Sequence, residues 1–275
     1  MFGERVESAY FFGIGQNSSF NSTLWDDKYY DYSRWYGLIQ SEVAIPLTSI
    51  DSPKDFWLIQ ADIQYFSPDS KEGSLFFEQP PSARIDGWSN RFGGGFYSDN
   101  RDDPFRTKEG YQLKVTSTIA PAFLGNENYY GQIKATGSYY TSFHLIKEIT
   151  FAGRIRYWQA IGDAPFFDLP FIGGQYDLRG FPFERFRDKG VLNYNLELRT
   201  WLFKLPFWNI EAGGQLFYDA GWVFDNPSQF QAQNMKWNAG FGGISSVFRS
   251  DFLIRADVGF SPEIWRLSIG LGYLF

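Results

Sequence analysis

The sequence has no cysteine and only one histidine, and these absences remove most catalytic chemistry. Without cysteine, disulfides, thiol catalysis and cysteine-ligated metals are excluded. The lone histidine, His144, lies in a predicted short turn beside Lys147. A catalytic triad or a histidine-rich metal site is therefore not available. Paired acids such as Asp102 and Asp103 fall in predicted turns without catalytic partners. We predict that the protein is not an enzyme and uses no cofactor or metal.

Long apolar runs are also absent, so the sequence predicts no transmembrane helix, which needs about 18 or more apolar residues. Yet aromatic residues make up 21% of the 275 residues, and the mean hydropathy is only -0.32. A closed β-barrel accommodates both properties, because its backbone is satisfied between strands and its aromatic side chains form girdles at the membrane interfaces. The net charge of -6, with no basic block, argues against a nucleic-acid partner.

Apolar and polar residues alternate with a period of two through most of the chain, as in strands with one lipid-facing and one water-facing side. The segment 191–200 is typical, because Leu196 and Leu198 alternate with Glu197 and Arg199. The pattern predicts about twelve strands, an even number of the kind outer-membrane barrels use. Their predicted spans are 5–16, 33–47, 56–69, 87–99, 110–122, 129–143, 147–161, 191–203, 208–223, 235–248, 251–261 and 264–275.

These strands predict an all-β fold, a transmembrane antiparallel up-and-down β-barrel that forms a single domain over 1–275. The long connections should be extracellular and the short ones periplasmic, which puts both termini on the periplasmic side. The predicted long connections are 17–32, 70–86, 163–190 and 224–234. We expect a bacterial outer-membrane location, reached after removal of a signal peptide that is not present in this sequence.

The first and last predicted strands must pair to close the barrel, and this seam is rich in glycine. The seam glycines are Gly13, Gly15, Gly270 and Gly272. Glycine weakens a strand and lets it kink, so the seam could open toward lipid. Alternatively, these glycines make room for the loop or for sharp curvature. The apolar face of the last strand is predicted to end at Phe275 as part of a lipid-facing row.

The longest predicted loop contains the sequence FIGGQYDLRGF over 171–181. This segment resembles the sixth-loop signature of the BamA/TamA outer-membrane assembly (bacterial surface antigen) superfamily, in which a double glycine precedes an Arg-Gly-aromatic tip. Three further stretches are similar to motifs of that family. They are DNRDDP at 99–104 with Gly110, NLELR at 195–199 and FYDAGWV at 217–223. The resemblance covers the chain from about residue 87 to its end, and five predicted strands follow the loop, as in that family.

The resemblance implies that the loop folds back into the barrel and plugs the lumen. Period-two counting places Glu197 and Asp219 on the inner face of neighbouring strands, so Arg179 at the loop tip would meet two carboxylates. The rest of the loop motif consists of Gly173, Gly174, Gly180 and Phe181. Two interpretations are open: Arg179 only braces the barrel, or the loop also controls the opening of the seam.

The family's periplasmic POTRA domains bind client chains, but the first predicted strand begins near residue 5 and leaves no room for them. The resemblance therefore implies a minimal outer-membrane barrel that aids protein insertion or remodels and transports lipid. The alternatives are a structural or partner-binding anchor without insertase activity and a small-solute pore. The expected partners are outer-membrane lipid and envelope assembly or lipid-carrier proteins, and a monomer is favoured.

Overall fold

The computed structural model describes residues 4–47, 54–205, 210–246 and 252–275, except for the side chains of residues 4–8 and 229. Within these ranges the chain forms one antiparallel sheet of twelve strands, each hydrogen-bonded to its neighbours along the sequence. The strands are β1 (Glu4–Tyr10), β2 (Asp31–Pro46), β3 (Asp55–Asp69), β4 (Gly87–Asp99), β5 (Gly110–Ala120), β6 (Tyr130–His144), β7 (Glu148–Gly162), β10 (Gly190–Leu205), β11 (Ile210–Phe224), β12 (Lys236–Ser246), β13 (Leu253–Phe260) and β14 (Trp265–Leu271).

A long loop over residues 163–189, called the lumen loop below, joins β7 to β10 and contains a small hairpin of β8 (Phe171–Ile172) and β9 (Phe186–Arg187). Short helical turns lie in the connections that the structure describes. They are α1 (Ser22–Asp26), α2 (Leu75–Glu78) and the 3₁₀ turns Ala122–Leu124, Phe166–Asp168, Pro227–Gln229 and Ala232–Asn234. No helix in the described part of the chain is long and apolar enough to cross a membrane.

The sheet wraps around the lumen loop, because side chains from strands all around the sheet contact that loop. The pairs between wall and loop are Arg34 with Glu184, Arg91 with Asp168, Arg156 with Asp177, Glu197 and Asp219 with Arg179, and Arg266 with the carbonyl oxygen of Phe181. The predicted up-and-down barrel with a lumen plugged by this loop is confirmed, with seven strands before the loop and five after it.

The two faces of the strands are also as predicted. On β10, Glu197 and Arg199 are 1% and 2% exposed, whereas Leu196 and Leu198 are 38% and 43% exposed. Polar side chains therefore point into the lumen and apolar side chains point outward, the reverse of a water-soluble domain.

The first strand is shorter than predicted. β1 ends at Tyr10, so Gly13 and Gly15 lie in the loop that follows it and not in a seam strand. Both have positive φ values, +95° and +96°, a conformation that interrupts a strand and favours glycine. The backbone N–H of Gly15 donates to the carbonyl oxygen of Arg187 at 2.8 Å, so this segment follows the lumen loop instead of extending β1.

The last strand also ends early, at Leu271, and the prediction that Phe275 closes a lipid-facing row is wrong. Gly272 has a φ of +75°, and the chain turns there toward the lumen. Leu274 is only 8% exposed, and the ring of Phe275 lies 6.1 Å from the ring of Tyr140, a buried residue of β6. Residues 273–275, called the tail below, therefore lie inside the barrel.

Of the four predicted seam glycines, Gly270 alone lies within a strand that the structure describes. A Cβ added there would lie 3.1 Å from Nη2 of Arg255, so this glycine gives room to a buried guanidinium.

Three consecutive glycines, Gly93–Gly95 in β4, let the sheet bend sharply. A Cβ at Gly93 would lie 1.9 Å from the carbonyl oxygen of Ser117, and one at Gly95 would lie 2.0 Å from that of Val115. Neighbouring backbone thus occupies the space of a side chain at both positions. Such close approach is one of the devices that turn a flat sheet into a closed barrel.

Gly93→Ala is expected to destabilise the barrel by about 1–3 kcal/mol, because the new methyl group must displace the backbone of β5. Gly243→Ala in β12 is the matched control, since its Cβ would meet no atom within 4 Å. Thermal unfolding in detergent micelles, followed by the heat-dependent shift on SDS gels, measures the difference. Equal melting temperatures for the two variants would contradict the sharp bend at β4.

Candidate functional site: the lumen loop and its contacts

The double glycine of the lumen loop forms its tight turn. Gly173 has a φ of +131°, and a Cβ there would lie 2.3 Å from the carbonyl oxygen of Pro182. Gly174 has a φ of +85° and packs against Phe183, with 3.0 Å from its ideal Cβ to a ring carbon. Any other residue at either position would be strained and would clash. The turn directs the tip toward β10–β13.

The tip itself packs directly on the wall. A Cβ at Gly180 would lie 2.8 Å from the Cβ of Asn238 and 3.1 Å from the backbone of Phe260. The next residue, Phe181, is 1% exposed and belongs to a small apolar cluster that anchors the loop. The other buried members of this cluster are Ile172, Leu178, Phe186, Val191 and Val223.

Arg179 meets the two carboxylates that the sequence singled out. Its Nε donates to Oδ2 of Asp219 at 2.9 Å and its Nη2 to Oδ1 of the same carboxylate at 2.7 Å. Its Nη1 donates to Oε1 of Glu197 at 2.6 Å. The guanidinium also lies 3.6 Å from the centroid of the Phe217 ring. All three side chains of the ion pairs are 0% exposed, so the bidentate geometry is held away from bulk water.

Neighbouring side chains hold these carboxylates in place. Nδ2 of Asn195 donates to Oδ1 of Asp219 at 2.8 Å, and Nδ2 of Asn238 donates to its Oδ2 at 2.9 Å. The other oxygen of Glu197 accepts from Nε of Arg199 at 2.7 Å. Both oxygens of Asp219 that bind Arg179 thus accept from a second donor of the wall, and Arg199 holds the oxygen of Glu197 that Arg179 leaves free.

A third ion pair extends the network. Asp257 on β13 lies 3.6 Å from Nη1 of Arg179 and 2.9 Å from Nε of Arg255. The lumen cluster of Arg179, Arg199 and Arg255 with Glu197, Asp219 and Asp257 therefore has three positive and three negative groups. Such a balance is the condition under which ions can remain buried. Among the described residues, no group of histidine, aspartate and glutamate side chains is arranged to hold a metal ion.

Two wall arginines connect the tail to the lumen loop. Nη2 of Arg199, which is bound to Glu197, also donates to the carbonyl oxygen of Phe275 at 3.0 Å, and its Cζ lies 4.0 Å from the ring of Tyr273. Arg154 donates to the carbonyl oxygens of Tyr176 in the loop and Leu274 in the tail. Arg199 therefore binds both the tail and Glu197, which is one of the carboxylates that pair with Arg179.

At the other end of the barrel, Arg185 connects the two edges of the sheet. Its Nε donates to Oε2 of Glu263 at 2.7 Å, and its Nη1 donates to Oγ of Ser18 at 2.7 Å. Ser18 lies in the loop after β1, and Glu263 lies just before β14. No backbone pairing between β1 and β14 is found within the described ranges. Arg185, Ser18 and Glu263, called the clasp below, therefore join the edges through the lumen loop.

Sequence reasoning found Arg179, Glu197 and Asp219 but missed the other polar contacts. Asp257 could have been found, because it shares the inner face of its strand with Arg255. The clasp gave no signal, since its three residues come from three irregular connections whose paths have no periodicity.

An antiparallel barrel with an inward-folded loop and a buried arginine at the loop tip defines a class, the plugged outer-membrane barrels. This chain belongs to the Omp85 superfamily, since the model of the Omp85 superfamily domain matches residues 5–272. The expected resemblance to the outer-membrane assembly superfamily is confirmed. Membership of this family indicates the bacterial outer membrane as its location.

A solved structure also supports the fold. The chain is similar to the crystal structure of BamA from Haemophilus ducreyi lacking POTRA domains 1–3, with a TM-score of 0.57 and 13% sequence identity. The match covers 88% of this chain and 53% of that chain, so this chain spans about half the length of its structural neighbour. No curated protein matches the sequence.

Proposed function

We propose that this barrel helps to insert proteins into the outer membrane or to move lipids within it, and that the seam between β1 and β14 opens for this purpose. The observation that carries the proposal is the clasp. Arg185 joins the two edges by side-chain hydrogen bonds to Ser18 and Glu263, and within the described ranges no backbone pairing between β1 and β14 adds to this connection. Separating two edges that are joined by side-chain hydrogen bonds costs much less free energy than separating two strands that are joined by a full set of backbone hydrogen bonds.

The lumen loop has contacts on both sides of this seam, which supports a controlling role. On the β1 side, the carbonyl oxygen of Arg187 accepts from Gly15. On the β14 side, Nη1 of Arg266 donates to the carbonyl oxygen of Phe181 at 3.0 Å. A shift of the loop would therefore change the contacts of both edges together. The loop motif residues Gly173, Gly174 and Gly180 would serve to position the lumen loop against both edges.

A second candidate function is that of a structural or partner-binding anchor without insertase activity. The complete burial of Arg179 with its carboxylates favours this alternative, because such a network resists movement. A small-solute pore has less support, since the lumen loop and the tail both occupy the lumen.

A reversible covalent tether across the seam distinguishes the proposed insertion or lipid-moving function from that of an inactive anchor. The chain has no cysteine, so Ser18→Cys with Glu263→Cys can be joined by a cleavable bifunctional thiol reagent. The protein is placed in phospholipid liposomes, and the assays follow insertion of an unfolded small barrel client and flipping of a fluorescent phospholipid. We expect the tethered protein to lose most of its activity and the cleaved protein to regain it.

The controls are the two single-cysteine variants treated with the same reagent, which should keep their activity. Full activity in the tethered state would rule out seam opening. Activity absent in the wild-type protein as well as in every variant would support the anchor.

A further inference from the structure

A second region of the lumen, away from the lumen cluster, contains a cavity of about 370 Å³. Its lining comes from β2, β3, β5 and β6 and is entirely polar: two lysines, one glutamate, two glutamines and two threonines. This volume lies within the range of small-ligand sites, which is about 300–1,000 Å³. Neither the lumen loop nor the tail contributes a lining residue.

Two glycines of β4 lie on the same face of the sheet as this cavity. Gly93 lies opposite Gln60 of β3, and Gly95 lies opposite Thr116 of β5, so both glycines share the inner face of the sheet with lining residues. Because β4 has no side chain at these two positions, the backbone of β5 approaches it closely and the sheet bends beside the cavity. The ion pair between Lys114 and Glu42, 2.8 Å long, crosses the bend from β5 to β2.

Four lining residues form a compact block on the inner face of β5 and β6. In the strand register Lys114 lies opposite Thr136, and Thr116 lies opposite Lys134. Directly opposed residues have Cβ atoms about 4.5–5.5 Å apart. The block therefore presents two ammonium groups on one diagonal and two hydroxyl groups on the other. Neither hydroxyl makes a hydrogen bond within the described part of the chain.

Lys134 is the unusual member of this block. Its ammonium group has no carboxylate partner and no hydrogen bond among the described residues, and its contact is the ring of Trp158, 4.5 Å from Nζ to the centroid. Other lumen cations differ, since Lys114 pairs with Glu42 and Arg91 pairs with Asp62 at 3.3 Å. An ammonium that is shielded on one side by an aromatic ring and has no carboxylate in ion-pair contact can take an anion as its partner.

We propose that this cavity binds a phosphate group, either as free phosphate or as the headgroup of a phospholipid. Lys134 is its principal ligand, and the hydroxyl groups of Thr116 and Thr136 donate hydrogen bonds to its oxygens. With Glu42 included, the charged lining groups sum to one positive charge, which suits an anion. The site does not depend on seam opening, because a barrel that never opens would hold the same ligand.

The test uses the full chain in a zwitterionic detergent without phosphate, titrated with inorganic phosphate in a calorimeter. We expect saturable binding to the wild-type protein and at least tenfold weaker binding to Lys134→Gln. Lys71→Gln is the matched control, because Lys71 is exposed in the loop after β3 and should leave the affinity unchanged. The heat-dependent gel shift shows that each variant is folded, and Thr136→Val provides a second, milder loss if Lys134→Gln does not fold.

A second arm distinguishes the two sources of the phosphate group. Short-chain phosphatidylglycerol replaces inorganic phosphate, and bound lipid is detected by native mass spectrometry. Tighter binding of the lipid than of phosphate, lost in Lys134→Gln, identifies a headgroup, whereas tighter binding of phosphate identifies the free ion. Absence of binding by both probes, or equal binding to the wild-type protein and Lys134→Gln, overturns the proposal.

Discussion

Arg179→Ala is expected to lower the free energy of unfolding by about 3–5 kcal/mol, the usual cost of removing one partner from a buried ion pair. Without the guanidinium, Glu197 and Asp219 lose three charge-assisted hydrogen bonds of 2.6–2.9 Å at positions where water does not reach them. The lumen cluster would also change from a neutral to a negative set of charges. We therefore expect the loop to leave its position and the barrel to become sensitive to heat.

The measurement is thermal unfolding in detergent micelles, with gel mobility before and after heating as a second readout. Lys71→Ala is the control, because this lysine is exposed in a surface loop and its removal should change little. Arg179→Lys is expected to fall between the two, since one ammonium cannot replace the planar fork that binds Asp219. If Arg179→Ala and Lys71→Ala melt together, the lumen cluster does not stabilise the barrel.

Arg185→Ala is expected to separate the two edges of the sheet at the loop end of the barrel. Its guanidinium is 1% exposed and donates to both Ser18 and Glu263, so its loss leaves each edge without that connection. Spin labels at Ser19→Cys and Pro262→Cys, two exposed positions on opposite sides of the seam, report the distance by pulsed electron resonance. We expect a longer and broader distance distribution than in the protein that keeps Arg185.

Arg84→Ala is the matched control for this experiment. Arg84 also pairs with a carboxylate, but Glu127 is 73% exposed, and exposed pairs contribute at most about 1 kcal/mol. An unchanged distance distribution in Arg185→Ala would mean that other contacts hold the seam, and it would remove the main support for controlled opening.

The sequence predicted the wall of the barrel well, because lipid on one side and a polar lumen on the other impose a strict period of two. β13 follows this pattern from end to end, and β10 follows it from Leu192 to Arg199, before a bulge between Trp201 and Phe203 shifts the register. The predictions were wrong at the two seam strands, which end at Tyr10 and Leu271. Periodicity cannot reveal these ends, since they depend on the positive φ values of Gly13, Gly15 and Gly272.

Residues of the functional site were likewise predictable only where they lie on regular strands or within a family motif. Glu197 and Asp219 were found by counting along regular strands, and the partner Arg179 came from a family motif. The clasp and the contacts of the tail were not found, because they depend on where irregular segments pass through space. Lys134 was not found either, since its distinguishing property is the absence of a partner, which only the packed lumen reveals.

The position of Arg179 in the chain also has a consequence for how the barrel folds. Its three carboxylate partners all follow it in sequence, on β10, β11 and β13. The C-terminal third of the chain can therefore seat the loop tip before the first strands are in place, because none of these loop closures involves the N-terminal strands. The N-terminal strands would then pair onto a C-terminal part of the barrel that has already formed. In this order of events the lumen loop is in place before the wall is complete, and the wall forms around it.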